Sequence, residues 1–450
     1  MKDLRDISNV YFVGIGGIGM SALAHYFVLK GKTVAGYDKT RTSLTQSLEQ
    51  KGIAIHYEDG ADLIPEIFRD QDRTLIIYTP AIPPTHTELQ FFRQEGFTVL
   101  KRAEVLGKIS EGMVTLAVAG THGKTTTSTI LAYILHQCNE PLTAFLGGIS
   151  ENFDSNFIST GEDVLVVEAD EFDRSFLQLR PDFAAITSMD ADHLDIYETS
   201  GALQETFSDF AQLVKSDVFL GEGLPLRGKT YGFGEQADVR IEHIEVTDGQ
   251  YKFAVITEDD CAEGTFSLPG KHNLMNALAA VSLANAYGVK LQEAVSALEG
   301  FQGVDRRFSY RIRTEELVLI DDYAHHPTEL EALHQAVREM YPNDQVMIVF
   351  QPHLYSRTRD FHKDFAKSLS AFDAVRLMDI YPAREEPIPG ITSEALLHEI
   401  DCKDKSMLTK RDLSKCVQEH SARIKLIVGA GDIGEEVKNI VNFILKMSQV

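Results

Sequence analysis

Residues 114–127 read VTLAVAGTHGKTTT and contain an apolar run, a glycine turn and a run of threonines. The apolar run predicts a strand buried in a parallel sheet, and the residues after the turn predict a helix. Amides of such a loop can surround a phosphate group, while Lys124 reaches its outer oxygens and the Thr125 hydroxyl holds Mg²⁺. Val118 replaces the first glycine of G-x-x-x-x-G-K-[ST], so the loop is a shorter variant of the P-loop. We predict that ATP phosphates bind at Gly120, Thr121, His122, Gly123, Lys124, Thr125 and Thr126.

Strand-like runs alternate with helix-like segments along the whole chain. The clearest further apolar runs lie at 10–13, 33–37, 74–78, 164–167, 184–187, 317–320, 346–350 and 426–428. Such alternation favours parallel sheets with helices on both faces. Residues 226–268 are rich in turn formers and predict a small antiparallel insertion, whereas residues 273–287 predict a helix.

The chain length and the three blocks of alternating elements predict three domains. A chain of 450 residues exceeds what one ordinary hydrophobic core accommodates. We place an N-terminal Rossmann-like domain at residues 1–107, a central P-loop ATPase-like domain at 108–305 and a C-terminal Rossmann-like domain at 306–450. The predicted fold class is therefore α/β.

The charge balance excludes several classes of partner. The 67 acidic residues outnumber the 43 basic residues, and the formal net charge is −24 at pH 7. This field repels nucleic acid and anionic membranes, whereas a local nest of amides can still bind a nucleotide. No run reaches the roughly 20 apolar residues that cross a bilayer, the N-terminus is charged, and the four cysteines are widely spaced. We expect a cytoplasmic protein with no nucleic-acid or membrane partner.

Another glycine loop, GIGGIG, follows the first predicted strand and opens a helix. Its glycines permit a tight turn and a close approach of the backbone to a diphosphate, and Asp38 near the end of the next strand can bind a ribose. Alone, this pattern favours a nicotinamide-dependent oxidoreductase, with a ligand-free turn as the alternative. The separate P-loop argues against an ordinary dehydrogenase. The predicted diphosphate site consists of Gly14, Ile15, Gly16, Gly17, Ile18 and Gly19.

Acidic segments follow two of the later predicted strands. Residues 168–171 read EADE, and residues 190–195 read DADHLD. Because open α/β sheets bind ligands at the carboxyl ends of their strands, we expect these groups beside the nucleotide. Carboxylate oxygens suit Mg²⁺, and His193 among them is either a metal ligand or a structural histidine. A solvated acidic loop is the alternative for residues 168–171.

Seven motifs occur in a fixed order from the P-loop onwards. They are GTHGKTTT, EADE, DADHLD, GKHNLMNALAA, DRRF, DDYAHHPTE and QPHLYSRT. Together with the first glycine loop they resemble the Mur ligase family over residues 14–431. The resemblance is greatest to the branch that adds L-alanine to UDP-N-acetylmuramate in peptidoglycan synthesis, a part of cell-wall biogenesis that supports cell shape and division. It implies an ATP- and Mg²⁺-dependent ligase that forms an acyl phosphate and releases ADP and phosphate.

The resemblance also implies roles for individual residues. The first glycine loop would hold the diphosphate of UDP-N-acetylmuramate, with Asp38 and Thr79 near the nucleotide. Beyond the P-loop, the implied contacts of ATP are Asn273, Asn276, Arg307 and Asp322. The implied contacts of the amino acid are Tyr323, His325 and Arg357. The implied metal ligands are Thr125, Glu168 and His193. The implied catalytic groups are Lys124, His193, Arg307, His325 and Arg357.

Two positions depart from the pattern of the L-alanine-adding branch. Ala324 stands where that branch often has glycine, and a related ligase that recycles whole peptides often has alanine there. Leu354 stands where arginine is frequent, which leaves a non-catalytic UDP-sugar-binding homologue as an alternative. Arg306, His326 and His353 have structural roles as alternatives to substrate contact. The sequence leaves both a monomer and a homodimer open.

Overall fold

The computed structural model describes residues 4, 6–189, 200–247, 250–383 and 385–447. Within these residues the strands form three sheets of five, ten and six strands. The architecture is the three-domain α/β fold that the sequence predicts. None of the described helices is long and apolar enough to cross a lipid bilayer.

The first sheet contains β1 (Asn9–Val13), β2 (Thr33–Tyr37), β3 (Ala54–His56), β4 (Thr74–Tyr78) and β5 (Thr98–Lys101). Its helices are α1 (Ile18–Leu29), α2 (Ser43–Gln50), α3 (Thr87–Gln94) and α4 (Arg102–Ser110), with 3₁₀ turns at Ala61–Leu63 and Glu66–Arg69. The strands pair in parallel in the order β3-β2-β1-β4-β5. Because the connections run in opposite directions from β1, the carboxyl end of β1 opens a crevice suited to a ligand.

The second sheet contains β6 (Val114–Ala119), β7 (Leu142–Ser150), β8 (Ser155–Ser159), β9 (Val164–Glu168), β10 (Phe183–Ile186), β11 (Val218–Gly221), β12 (Lys229–Gly232), β13 (Val239–Thr247), β14 (Gln250–Ile256) and β15 (Cys261–Phe266). The accompanying helices are α5 (Lys124–Gln137), α6 (Ser200–Leu213), α7 (Lys271–Tyr287) and α8 (Leu291–Ala297), with 3₁₀ turns at Phe172–Gln178 and Leu298–Gly300. The strand order is β15-β14-β13-β12-β11-β10-β6-β9-β7-β8. The P-loop strand β6 therefore lies in the interior of the sheet, between β10 and β9.

The prediction of a separate antiparallel insertion at residues 226–268 is wrong in part. β14 and β15 pair in antiparallel orientation as expected. However, β12 pairs in parallel with β11, so the segment continues the second sheet instead of forming a sheet of its own. Short runs of alternating apolar and polar residues indicate a strand with one solvated face. They do not specify which strand it pairs with or in which direction.

The third sheet contains β16 (Ser309–Arg313), β17 (Val318–Asp322), β18 (Val346–Phe350), β19 (Ala374–Leu377), β20 (Asp404–Met407) and β21 (Ile424–Val428). Its helices are α9 (Pro327–Met340), α10 (Tyr355–Asp360), α11 (His362–Leu369), α12 (Ser393–Glu399), α13 (Lys410–Glu419) and α14 (Ile433–Met447). The strand order is β16-β17-β21-β18-β19-β20, with only the β16–β17 pair antiparallel among these described strands.

Central strands of the second and third sheets are buried on both faces, as their uninterrupted apolar sequences require. Every residue of β18 is buried, as are the last five residues of β6. The chain divides into two compact units. Unit 1 contains Met1–Glu245, Tyr251–Phe266 and Met275–Gln302, and unit 2 contains Val246–Gln250, Ser267–Leu274 and Gly303–Val450.

Candidate active site

The first glycine loop connects β1 to α1 in unit 1. Gly14 has φ +90°, a conformation that favours glycine. A side chain at Gly14 would also approach the Thr79 methyl group to 2.7 Å, so Thr79 lies directly against the loop. The backbone N–H of Gly16 donates a 2.7 Å hydrogen bond to the Asp38 carboxylate. The structure thus brings together the predicted UDP-sugar residues 14–19, Asp38 and Thr79, and Asp38 helps to fix the loop.

The P-loop connects β6 to α5 and is fixed by residues that follow β10. Ser188 receives a 2.8 Å hydrogen bond from the His122 backbone N–H through its hydroxyl and a 3.1 Å hydrogen bond from the Thr121 N–H through its carbonyl. Gly123 has φ +82°, and a side chain there would approach the Asn276 side-chain oxygen to 2.4 Å. Asn276 on α7 therefore reaches the loop. Ser188 was not predicted, although its position directly after a predicted buried strand was a usable signal.

Lys124, at the start of α5, is enclosed by acceptor oxygens. Its ammonium group donates to both carboxylate oxygens of Glu171, at 2.9 and 2.8 Å, and to the carbonyl of Gly120 at 2.6 Å. Burial lowers the pKa of Lys124, but the carboxylates of Glu171, Asp170 and Glu168 outweigh that effect and raise it above its usual value. Lys124 is therefore fully protonated at neutral pH.

The Thr125 hydroxyl and the Glu168 carboxylate form an oxygen-only pair beside Lys124. The hydroxyl donates a 2.9 Å hydrogen bond to Glu168, which follows from the placement of β9 next to β6. A side chain at Gly147 would collide with this carboxylate, so glycine leaves room for it. Hard oxygen donors suit Mg²⁺. The described residues contain no cluster of three His, Cys, Asp or Glu side chains arranged for a metal, and His193, the third predicted ligand, lies outside the described residues.

A cavity of about 260 Å³ joins the first glycine loop to Glu168. Its lining residues come from the first glycine loop and α1, the end of β4, α4, β7 and the end of β9, and they are Gly17, Ile18, Gly19, Met20, Thr79, Arg102, Leu106, Phe145, Leu146, Gly147, Val167, Glu168 and Asp170. The cavity thus leads from the predicted diphosphate site to the predicted metal ligand.

Arg102 supplies the positive charge of this cavity and was not predicted. Its guanidinium lies 3.7 Å from the Asp170 carboxylate, and a side chain at Gly19 would collide with it. Arg102 directly follows β5, a strand that was not predicted, and strand ends face ligands in open α/β sheets. Arg102 faces a space in which an anionic group of a substrate would be attracted.

In unit 2, Asp322 is held at the end of β17. Its carboxylate accepts 2.7 Å hydrogen bonds from the backbone N–H groups of Phe308 and Ala324. Burial raises the pKa of Asp322 to about 6, although attraction to Arg307 and these two hydrogen bonds lower it. The guanidinium of Arg307 lies over the Tyr323 ring, 5.0 Å from its centre. The predicted residues Arg307, Asp322 and Tyr323 therefore form one group.

His325 and Arg357 extend this group. The His325 ring lies 2.9 Å from the Tyr323 carbonyl oxygen and 3.4 Å from a carboxylate oxygen of Glu329. Burial lowers the pKa of His325, so the ring is largely neutral at pH 7. His353 lies between His325 and Arg357. Its ring centre is 6.1 Å from that of His325, and one of its ring nitrogens is 3.5 Å from an Arg357 nitrogen. Burial, His325 and Arg357 lower the pKa of His353 to about 4.

Three further residues of unit 2 make mainly structural contacts. Arg306 donates to the carboxylate of Asp321 at 3.2 Å and to the carbonyl of Gly429 at 2.5 Å. His326 is the N-cap of α9, where its ring accepts a 3.3 Å hydrogen bond from the Thr328 N–H and Pro327 takes the first helical position. The Asn273 amide donates to the carbonyl of Pro269 at 2.6 Å. A role of Asn273 near adenine stays a prediction.

Models of three protein families match consecutive parts of the chain. They are the Mur ligase family catalytic domain at residues 9–113, the Mur ligase middle domain at 118–284 and the Mur ligase glutamate ligase domain at 306–433. The chain belongs to the Mur ligase family. The resemblance predicted from the seven motifs is confirmed, and Mur ligases are enzymes.

Relatives of this Mur ligase cover nearly its whole length. The UDP-N-acetylmuramate–L-alanine ligase of Christiangramia forsetii is 52% identical, over 99% of both chains. The enzyme of the same name from Porphyromonas gingivalis strain W83 is 46% identical, over 95% of this chain and 97% of its own. The crystal structure of the UDP-N-acetylmuramate–alanine ligase from Thermotoga maritima has a TM-score of 0.81 at 29% identity, covering 98% of this chain and 99% of that one.

A murein peptide ligase from Psychrobacter arcticus shares the fold more distantly. Its crystal structure has a TM-score of 0.72 at 21% identity, and the match covers 97% of this chain and 98% of that one. At this identity the similarity establishes the fold alone. The three-domain α/β architecture is thus common to ligases with different names.

Proposed function

We propose that this Mur ligase joins L-alanine to the lactyl carboxylate of UDP-N-acetylmuramate and converts ATP to ADP and phosphate. The observation that carries the proposal is the cavity that leads from the first glycine loop to Glu168 beside the P-loop. A UDP-sugar held by its diphosphate at the loop would extend its sugar acid through the cavity towards the ATP phosphates. The reaction would take place in the cytoplasm, where both nucleotides are available.

The proposed chemistry activates a carboxylate that is otherwise a poor electrophile. The lactyl carboxylate oxygen attacks the γ-phosphorus of ATP, ADP leaves, and an acyl phosphate forms. The amine of L-alanine then attacks the acyl carbon, and phosphate leaves with the oxygen that came from the carboxylate. The enzyme forms no covalent bond, so its contribution is the positioning of reactants and the stabilisation of phosphoryl charge.

Unit 1 carries the groups for phosphoryl transfer in this proposal. Lys124 binds the β- and γ-phosphates, and Asn276, which lies beside Gly123 of the P-loop, contacts adenine. Thr125 and Glu168 would hold Mg²⁺, which neutralises charge on the phosphates when it is bound. Arg102 attracts an anionic group of the UDP-sugar. In terms of the sequence, residues 1–107 bind the UDP-sugar and residues 108–305 bind ATP.

Residues 306–450 supply the remaining contacts in this proposal. Arg307 binds nucleotide phosphates, and Asp322 fixes the backbone on which Arg307 and Tyr323 are placed. His325 and Arg357 face the reacting carboxylate and the amino acid. A neutral His325 is suited to accept the proton that the ammonium group of alanine loses to form the attacking amine, because its ring is largely deprotonated at pH 7.

Recycling of whole peptides onto UDP-N-acetylmuramate is the second candidate, and Ala324 is the observation that favours it. Ala324 is buried directly after Asp322 and Tyr323 and packs in the hydrophobic core of unit 2. The names of the relatives at 52% and 46% identity support alanine as the acceptor. Alanine addition is therefore the main proposal.

Phosphate release distinguishes these candidates. The purified protein is given ATP, Mg²⁺ and UDP-N-acetylmuramate, with L-alanine, with a tripeptide or with neither, and the products are identified by mass. The proposal predicts phosphate release that depends on both UDP-N-acetylmuramate and L-alanine, together with the alanyl product. Release with the tripeptide in preference to alanine would contradict it and support recycling. UDP-sugar binding without release under any condition would support the non-catalytic homologue.

A further inference from the structure

The ammonium group of Lys124 already has three close protein acceptors, and the Thr121 carbonyl oxygen lies at 3.5 Å as a fourth. An ammonium group donates three protons. The Glu171 carboxylate oxygens lie 2.9 and 2.8 Å from it, and the Gly120 carbonyl oxygen lies 2.6 Å away. The Glu171 side chain has no exposed surface and that of Lys124 is 12% exposed. The pair is therefore a buried ion pair that uses the hydrogen-bonding capacity of the lysine.

A phosphate group needs the same protons. Lysine binds the β- and γ-phosphates of a P-loop nucleotide through its ammonium group. Because the Glu171 and Gly120 oxygens all lie within 2.9 Å of the ammonium nitrogen, a phosphate oxygen must replace at least one of these acceptors. Glu171 is the acceptor whose replacement matters electrostatically, since a carboxylate within hydrogen-bond distance of Lys124 would repel an incoming phosphate. Asp170 and Glu168 add further negative charge nearby.

The three carboxylates near Lys124 have different partners. Asp170 lies 3.7 Å from Arg102, and Glu168 accepts a hydrogen bond from Thr125. Glu171 is the one of the three for which the structure records a direct hydrogen bond to Lys124. Its side chain is also completely buried, so water does not screen its charge.

We propose that Glu171 is the counter-ion that Lys124 exchanges for nucleotide phosphate, so that breaking the Lys124–Glu171 pair sets the affinity for ATP. In the nucleotide-free protein Glu171 neutralises a buried lysine that would otherwise destabilise the fold. When ATP binds, its phosphates take over that neutralisation. This inference rests on the proposed function only in taking ATP as the nucleotide, and it is independent of the UDP-sugar and the amino acid.

Glu171→Gln tests the exchange. The measurement is the dissociation constant of a non-hydrolysable ATP analogue with Mg²⁺, determined by calorimetry in the absence of other substrates. Glutamine removes the charge that competes for Lys124, so the constant should fall by about tenfold. The matched control is Glu293→Gln, which makes the same charge change at an exposed pair with Lys290 and should leave the constant unchanged. Unchanged or weaker binding in Glu171→Gln would overturn the proposal.

Thermal unfolding of the nucleotide-free protein tests whether Glu171 and Lys124 neutralise each other before ATP binds. Lys124→Met removes the ammonium group that neutralises the buried Glu171 carboxylate, so its Tm should lie below that of the wild type. Adding Glu171→Gln removes that charge, and the double variant should melt above Lys124→Met. A double variant that melts no higher than Lys124→Met would overturn the pairing.

A wild-type crystal structure with the ATP analogue keeps the proposal testable if the variants do not fold. The Lys124 nitrogen should lie about 3 Å from a phosphate oxygen and beyond hydrogen-bond distance of Glu171. Retention of both contacts would overturn the exchange. A wild type that does not bind the analogue at all would contradict the proposed function instead, which separates the two failures.

Discussion

The Thr125 hydroxyl donates a 2.9 Å hydrogen bond to the carboxylate of Glu168. These residues lie 43 positions apart in the sequence, and the parallel pairing of β6 with β9 brings them together. A hydroxyl and a carboxylate at the end of a P-loop are a suitable oxygen pair for Mg²⁺. The contact thus links the predicted phosphate loop to the first of the predicted acidic segments.

Thr125→Val should impair the use of Mg²⁺. Valine keeps the shape of the side chain but lacks the oxygen, so the Mg²⁺ concentration for half-maximal phosphate release should rise about 10- to 100-fold. Thr125→Ser is the matched control, because it retains the hydroxyl and should stay close to the wild type. Equal Mg²⁺ dependence of the valine variant and the wild type would show that the Thr125 oxygen is not a ligand.

Arg102→Ala should weaken binding of the UDP-sugar more than it slows catalysis. The guanidinium is the positive charge of a cavity that also contains Glu168 and Asp170. Loss of a charge-assisted hydrogen bond of about 1.5–3 kcal/mol corresponds to a rise in KM for UDP-N-acetylmuramate of roughly 10- to 100-fold.

Steady-state kinetics with the UDP-sugar varied would measure this change, and the KM for ATP should change little. Arg41→Ala is the control. Arg41 lies between β2 and α2 and forms an exposed ion pair with Glu49 at 2.8 Å. If Arg102→Ala and Arg41→Ala have the same KM for the UDP-sugar, Arg102 does not contact the substrate.

Asp322 should make unit 2 less stable as the pH rises from about 4 to about 6. Its pKa in the folded protein is about 6, above the value of about 3.9 expected in the unfolded chain. Below about pH 4 the Asp322 carboxyl is protonated in both the folded and the unfolded protein, so no charge is buried on folding. Between about pH 4 and pH 6 the carboxyl loses its proton first in the unfolded protein, so the free energy of unfolding falls with rising pH, by up to about 3 kcal/mol.

Amide hydrogen exchange in β17 and β21, corrected for intrinsic rates at each pH, measures this dependence. Asp322→Asn cannot ionise, so its protection should change less between pH 4 and pH 7 than that of the wild type. Identical pH profiles of the two proteins would mean that Asp322 titrates near its ordinary pKa.

The sequence predicts the parts of the site that are local in the chain. The P-loop was recognisable because its strand, turn and first helical residues are contiguous over 114–127, and both glycine loops occur at the predicted strand ends. Strand boundaries agree closely for the same reason. For example, β2 and β18 begin and end at the predicted residues, since buried strands have uninterrupted apolar sequences.

Contacts between distant segments were harder to predict. Arg102 follows β5, but its role depends on the approach of α4 to Gly19 and to Asp170, which no local pattern encodes. The placement of Glu171 against Lys124 likewise depends on how the chain turns after β9. Sequence alone placed Glu171 in an acidic segment beside the nucleotide, with a solvated loop as the alternative, and the structure shows its direct pairing with the lysine.

The most direct test of the account follows oxygen atoms through the reaction. UDP-N-acetylmuramate labelled with ¹⁸O in both oxygens of its lactyl carboxylate is incubated with the protein, ATP, Mg²⁺ and L-alanine, and the products are analysed by mass spectrometry. An acyl-phosphate mechanism predicts phosphate that carries one ¹⁸O atom and an alanyl product that retains the other. Unlabelled phosphate, or no alanyl product, would contradict carboxylate activation through an acyl phosphate.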